Sequence, residues 1–218
     1  PTNLISAVEA PREYRDASVK DDIPTFATPA HPLGEATLGG RFAAAVDIGT
    51  TTVAMFLLDS ATGEAVDVLA QMNRQSVYGA DVLSRIAHAD AGGLPALSRA
   101  IRAQIHEMLA ALTERTGATP TDVGVLTVAG NTTMLHLLTG EDPAGIGRAP
   151  FTPVFVEARE YTPEDLSVPL APEGSVILLP SVSAYIGADI VGAAVAVDVD
   201  NDEGTTLLVD IGTNGELV

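Results

Sequence analysis

The sequence predicts an α/β fold: a mixed sheet, antiparallel where it begins and parallel further on, with helices on its flanks. Three features carry this reading. Three short apolar runs crowd together between residues 42 and 72, separated by small polar turns. Helix-like and strand-like segments then alternate. Near the end the run VDIGT returns, which predicts that a second, related half begins there. At 218 residues the chain is long enough to bury a real core. Its 29 acidic and 11 basic residues give a net charge of −18, in a sequence that is still 46% hydrophobic, the balance of a folded acidic protein. Such a surface repels phosphate backbones and anionic lipid, so neither nucleic acid nor membrane is expected as a partner.

The elements follow in order. Residues 1–40 hold Pro1, Pro11, Pro24, Pro29 and Pro32 and end in Gly39-Gly40, which reads as a connector from an upstream region. FAAAVDI, VAMFLLD and AVDVLAQMN are three strands joined by the tight turns GTTT and SATGE. An amphipathic helical stretch comes next, with apolar Val82, Leu83 and Ile86 and then Leu97, Ile101, Ile105, Met108 and Leu112 at helical spacing. VGVLTVAG is a strand, and Asn131 or Thr132 can cap the helix behind it. From Glu141 to Pro172 six prolines predict a long irregular excursion with at most short elements, whose Phe151, Phe155 and Tyr161 either pin the loop to its own lobe or anchor a partner. SVILLP is a buried strand, and Tyr185 to Val197 a helix crowded with glycine and alanine, fit to lie close against a neighbouring backbone. The expected division is a first lobe over 41–204 and the opening hairpin of a second over 205–218. An apolar strand cut from its own lobe there would look for another sheet edge, in the same chain or in a homodimer.

Several chemistries are closed. Without cysteine the chain has no disulfide, thiolate metal site or thiolate-held iron–sulfur cluster of its own. With Lys20 as the one lysine it has no GxxxxGK[ST] loop and no Schiff-base lysine in its core. His31, His88, His106 and His136 are isolated and read as surface or capping residues rather than metal ligands. The acidic run from Asp198 to Gly204 lacks the glycine and glutamate of a calcium loop and reads as a solvated turn. No apolar run reaches the ~18 to 20 residues of a membrane span, which predicts a cytoplasmic location.

The repeat is where chemistry concentrates: VDIGTTT at Val46 to Thr52 returns as VDIGTNG at Val209 to Gly215. Asp47 and Asp210 each end a strand, where a carboxylate suits a hydrated magnesium ion. Gly49 and Gly212 allow close backbone approach to a ligand. Thr50, Thr51 and Thr52 on one turn, and Thr213 and Asn214 on the other, offer the donors that phosphate oxygens need where no lysine serves. Asp189 sits among small residues and needs a partner, and Asn131 divides between helix cap and cleft residue. Asn73, Arg74, Gln75 and Tyr78 are either substrate-side or fix the entry of the helix that follows.

These hairpins, with VLTVAGNTT between them and the small-residue helix before the second, resemble the superfamily of acetate and sugar kinases, heat-shock chaperones and actin. More narrowly, NRQSVYGADVLSRI, AGNTTMLHLLTG, APFTPVF, LPSVSAYIGADIVGA and VDIGTNGEL are similar, in that order, to the ATP-dependent reductive activators of corrinoid proteins, over about residues 41 to 218. The resemblance implies a ribonuclease-H-like, actin-like sheet as the first lobe of a two-lobed ATPase. It implies ATP and Mg2+ between the hairpins, with Asp189 near the γ-phosphate, and a [2Fe-2S] ferredoxin-like domain upstream of this chain as electron donor. It also implies a corrinoid protein as partner, restored from Co(II) to Co(I). A small-molecule kinase and a non-catalytic actin-like interaction module are the alternatives. The activators of acyl dehydratases are not, because they hold their cluster with cysteines inside the ATPase region.

Overall fold

The computed structural model describes residues 39–197, 207–212 and 215–217. The connector up to residue 38, the acidic run 198–204, Thr213 and Asn214 lie outside the described residues. Strands β1 (Phe42–Ile48), β2 (Thr52–Asp59) and β3 (Ala65–Met72) form an antiparallel meander. Helix α1 (Val82–His88) and the long α2 (Leu94–Arg115) follow, joined by a π turn at Ala89–Gly93. Then come β4 (Val123–Gly130), α3 (Thr132–Thr139), the short β5 (Arg159–Tyr161) and α4 (Pro163–Leu166), β6 (Ser175–Leu178) and α5 (Ala188–Ala196). The six strands make one sheet in the order β3-β2-β1-β4-β6-β5. β4 lies parallel to β1 and β6 parallel to β4, while β5 closes the far edge antiparallel. Three antiparallel strands continued by parallel ones is the predicted ribonuclease-H-like sheet. β7 (Val209–Ile211) and β8 (Gly215–Leu217) pair with each other as a separate ribbon.

The core follows from the periodicities. β4 is buried along almost its whole length, as a central strand between two parallel neighbours must be. α2 buries Leu97, Ile101, Ile105, Met108 and Leu112 without residual exposure, and packs on α3, β2 and β3. Burial of each such side chain is worth about 1.5 to 3 kcal/mol, which fixes this stripe against the sheet whatever the polar face does.

Three expectations change. The helix predicted over residues 82–112 is two helices, because Gly92, at φ 90°, interrupts the regular turn. On α1 the inward face is not the apolar trio: Leu83 is 62% exposed, whereas Arg85 is wholly buried beside Ile86. The small-residue helix starts at Ala188 rather than Tyr185, with Gly187 as its N-cap. Its close approach is at that cap, where an added Cβ would sit 2.5 Å from the Asn131 Cα, and not at Gly192, where it would meet only Leu179 at 3.5 Å.

The proline-rich excursion carries a three-residue strand and a four-residue helix. His136, read from sequence as a surface or capping residue, is instead completely buried at its root. The ring Nδ1 lies 2.7 Å from the Thr132 carbonyl and Nε2 accepts the Val154 amide at 3.1 Å. Phe155 stacks on the imidazole at 4.3 Å, and the Arg159 guanidinium lies over Phe155 at 4.0 Å. Two of the three aromatics therefore hold the loop to its own lobe: Phe155 is buried and Tyr161 packs against the core. Phe151 is the one that stays exposed, edge-on to Tyr185.

Candidate functional site

The carboxyl ends of β1 and β4 bring Asp47, the turn after it and Asn131 near one another. In the register of β1, Asp47 stands beside Ala54 of β2 and Ala129 of β4, and Ile48 beside Gly130. The turn after β1 and the junction from β4 into α3 are therefore neighbours, the position at which open α/β sheets place ligands.

The Gly49–Thr51 turn is held by its carbonyls. The Asn73 amide donates Nδ2 to the Gly49 carbonyl at 2.8 Å, the Arg85 guanidinium donates to the Thr50 carbonyl at 2.6 Å, and the Asn73 backbone N–H donates to the Thr51 carbonyl at 2.8 Å. In a trans peptide the N–H points opposite to the C=O. In each of these peptides the N–H therefore points away from the donor that holds its carbonyl. Gly49 is needed for the turn itself: a Cβ there would lie 2.6 Å from the Thr52 carbonyl oxygen.

Asn131 is the helix cap that the sequence allowed, and it also touches the turn after β1. Its side-chain oxygen caps α3 by accepting the Met134 amide at 3.0 Å, and its Nδ2 donates to the Thr50 hydroxyl at 3.1 Å. The polar run before α1 divides differently. Asn73 and Gln75 are buried supports, with Gln75 donating to the Leu97 carbonyl at 3.0 Å, while Arg74 points outward to Glu107 and Tyr78 stacks on His88.

Three carboxylates converge on this edge. Asp47 keeps contact with solvent, yet enough protein surrounds it that loss of hydration, reinforced by the negative charges of Asp189 and Asp210, raises its carboxyl from 3.8 to about 6. Asp189, in the first turn of α5, is likewise pushed up, first by burial and then by Asp210, against a hydrogen bond its Oδ1 accepts from the Ile190 amide. Asp210, on β7, is felt by both through its negative charge. Each negative charge disfavours ionisation of its neighbours. Among the described residues no set of three or more histidine or acidic side chains is close enough to cage a metal ion.

The family model of the RACo middle region matches residues 42–202. The chain belongs to the RACo middle-region family. Among its relatives is the corrinoid activation enzyme RamQ of Eubacterium limosum, 32% identical over 175 residues, which are 79% of this chain and 29% of that protein. A solved reductive activator for corrinoid, iron–sulfur protein superposes with a TM-score of 0.79 at 34% identity, over 82% of this chain and 29% of the other. This RACo middle-region chain therefore spans 29% of the length of each of these two relatives.

Sequence reasoning missed Arg85, which supports the turn after β1, and the burial of His136, which holds the excursion. Arg85 had a signal: it lies three residues after Val82, on the same helical face. His136 had none beyond its place inside an otherwise apolar helix. No helix among the described residues is long and apolar enough to cross a membrane.

Proposed function

We propose that this chain forms one wall of an ATP site in a protein that reductively activates a corrinoid partner. The observation that carries it is the convergence of Asp47, Asp189 and Asp210 beside a turn whose carbonyls are all held from behind. In this reading Gly49, Thr50, Thr51 and Thr52 bind the phosphate chain on one side, and Gly212, Thr213 and Asn214 on the other. Asp47 and Asp210 hold magnesium through water, and Asn131 fixes the Thr50 hydroxyl. Magnesium bound there would supply charge neutralisation to the β- and γ-phosphates. In the same reading Asp189, whose proton affinity is raised, would orient water at the γ-phosphate.

The names of the two relatives support the wider role. One electron passes from an iron–sulfur donor to cobalt, taking Co(II) to Co(I). Each ~59 mV of unfavourable potential costs tenfold in a one-electron equilibrium, so ATP binding or hydrolysis has to bias the partner's cobalt toward reduction. The 218 residues contain no cysteine, so a thiolate-held cluster that serves as donor lies outside them. In the intact protein, Asp47→Asn and Asp210→Asn are each expected to lower ATP hydrolysis roughly a hundredfold while the far-UV circular dichroism stays unchanged. Full turnover in both variants would remove the assignment.

A further inference from the structure

Arg85 is wholly buried on α1. Its guanidinium donates from Nε to the Gly79 carbonyl at 2.9 Å and from Nη2 to the Thr50 carbonyl at 2.6 Å. Nη1 faces the Gln75 side-chain oxygen at 3.5 Å and the Met134 sulfur at 3.2 Å. All four acceptors are neutral, and among the described residues Arg85 takes part in no ion pair. The acid that bears on it, Asp81, stands at the exposed N-cap of α1, occupied with the Ser84 amide. Burial lowers the Arg85 pKa to about 10, which still leaves the group charged at neutral pH. A buried cation without a counter-ion is an expensive feature to keep unless something anionic comes near it.

The contact on Thr50 says where that anion belongs. A cation on the Thr50 carbonyl polarises the Thr50–Thr51 peptide and strengthens its N–H as a donor, on the side of the turn away from the guanidinium. Lysine is absent from the whole described region, its single copy being Lys20. Phosphate sites built around a lysine place that charge directly on the ligand; here a charge stands behind the turn instead.

We infer that Arg85 is a positioning residue that provides the counter-charge for a polyphosphate held at the Gly49–Thr52 turn, acting from behind through the Thr50–Thr51 peptide. The inference rests on reading that turn as a nucleotide-phosphate site. The competing role is that of a strut, in which the guanidinium merely joins α1 to the turn.

Calorimetric titration of the intact protein with MgATP, magnesium pyrophosphate and adenosine separates these roles. Arg85→Met is expected to weaken both phosphate ligands by about tenfold or more and to leave adenosine unchanged, with no loss of Tm in the ligand-free protein. Equal MgATP affinity in wild type and variant would overturn the inference, and so would a parallel loss for adenosine. Arg85→Lys decides the matter even where the methionine variant fails to fold, because it keeps the charge but not the four contacts. Pyrophosphate affinity near wild type in Arg85→Lys supports the inference, and a tenfold loss there overturns it. Wild-type protein that binds neither MgATP nor pyrophosphate would instead overturn the reading of the turn, a distinguishable failure.

Discussion

Asp47 and His136 titrate in opposite directions, and the two signs give separate tests. The folded protein holds the Asp47 proton more tightly than the unfolded chain does, with a pKa of about 6 against 3.8. The stability Asp47 contributes is therefore full below about pH 4 and lost as pH rises through 6. Asp47→Asn is expected to raise Tm at pH 7 relative to wild type, an advantage that shrinks toward pH 4 in a scanning-calorimetry series. His136 is the reverse case: burial lowers its pKa from 6.5, so its contribution is present above 6.5 and lost as pH falls below it. His136→Ala should cost about 2 to 4 kcal/mol at pH 7.5, from the space left and the orphaned Val154 amide, read by urea denaturation. That deficit should narrow on acidification. A pH-independent deficit would show that the imidazole is not held neutral. Asp47 was legible in the sequence because its motif occurs twice, and Asn131 because a cap has a fixed place ahead of a helix. His136 was not, since its partners Val154 and Phe155 are 18 and 19 positions away on a loop whose path no periodicity records.

Among the elements, the meander and the long helix were readable because their apolar spacings repeat, at two in the strands and near 3.6 in α2. The break at Gly92 had a signal that the apolar spacing overrode, the Gly92-Gly93 pair and Pro95 in the gap between Ile86 and Leu97. The inward turn of Arg85 was hidden by its charge, which local pattern assigns to the surface although the Thr50 and Gly79 carbonyls were waiting for a donor. Gly187 joins two elements that sequence treats as unrelated, the start of α5 and the β4–α3 junction. Gly187→Ala drives a methyl group into the Asn131 Cα and the Gly130 carbonyl, so α5 must shift and carry Asp189 with it. The expected result is lower ATP turnover in the intact protein, together with a reduced Tm. Gly192→Ala, which meets a single Leu179 methyl at ordinary contact distance, should change neither, and the pair measured side by side isolates the cap as the sensitive point.

At the scale of the molecule, the described chain presents a complete six-stranded sheet and a separate two-stranded ribbon. The net charge of −18 repels an anionic nucleotide. The 218-residue chain alone is expected to bind MgATP with a Kd weaker than about 100 μM. The affinity should improve as salt screens the field. Titration calorimetry at two ionic strengths checks both statements, and a low-micromolar constant at low salt would contradict them.

The pairing of β1 with β4 has a kinetic meaning. The three strands of the meander are joined by short turns and can close early, whereas Val46 must find Val128 across some eighty residues of chain. The turn after β1 takes its supports from both sides of that gap: Asn73 and Arg85 come before β4, and Asn131 comes directly after it. The anchoring of Thr50 is therefore finished only when the slowest pairing is made. A nascent or misassembled chain can own the whole meander, with Asp47 and all three threonines in place, and still present no competent turn. Under the proposed function, refolding followed by a nucleotide-dependent signal is expected to lag behind the recovery of helical circular dichroism.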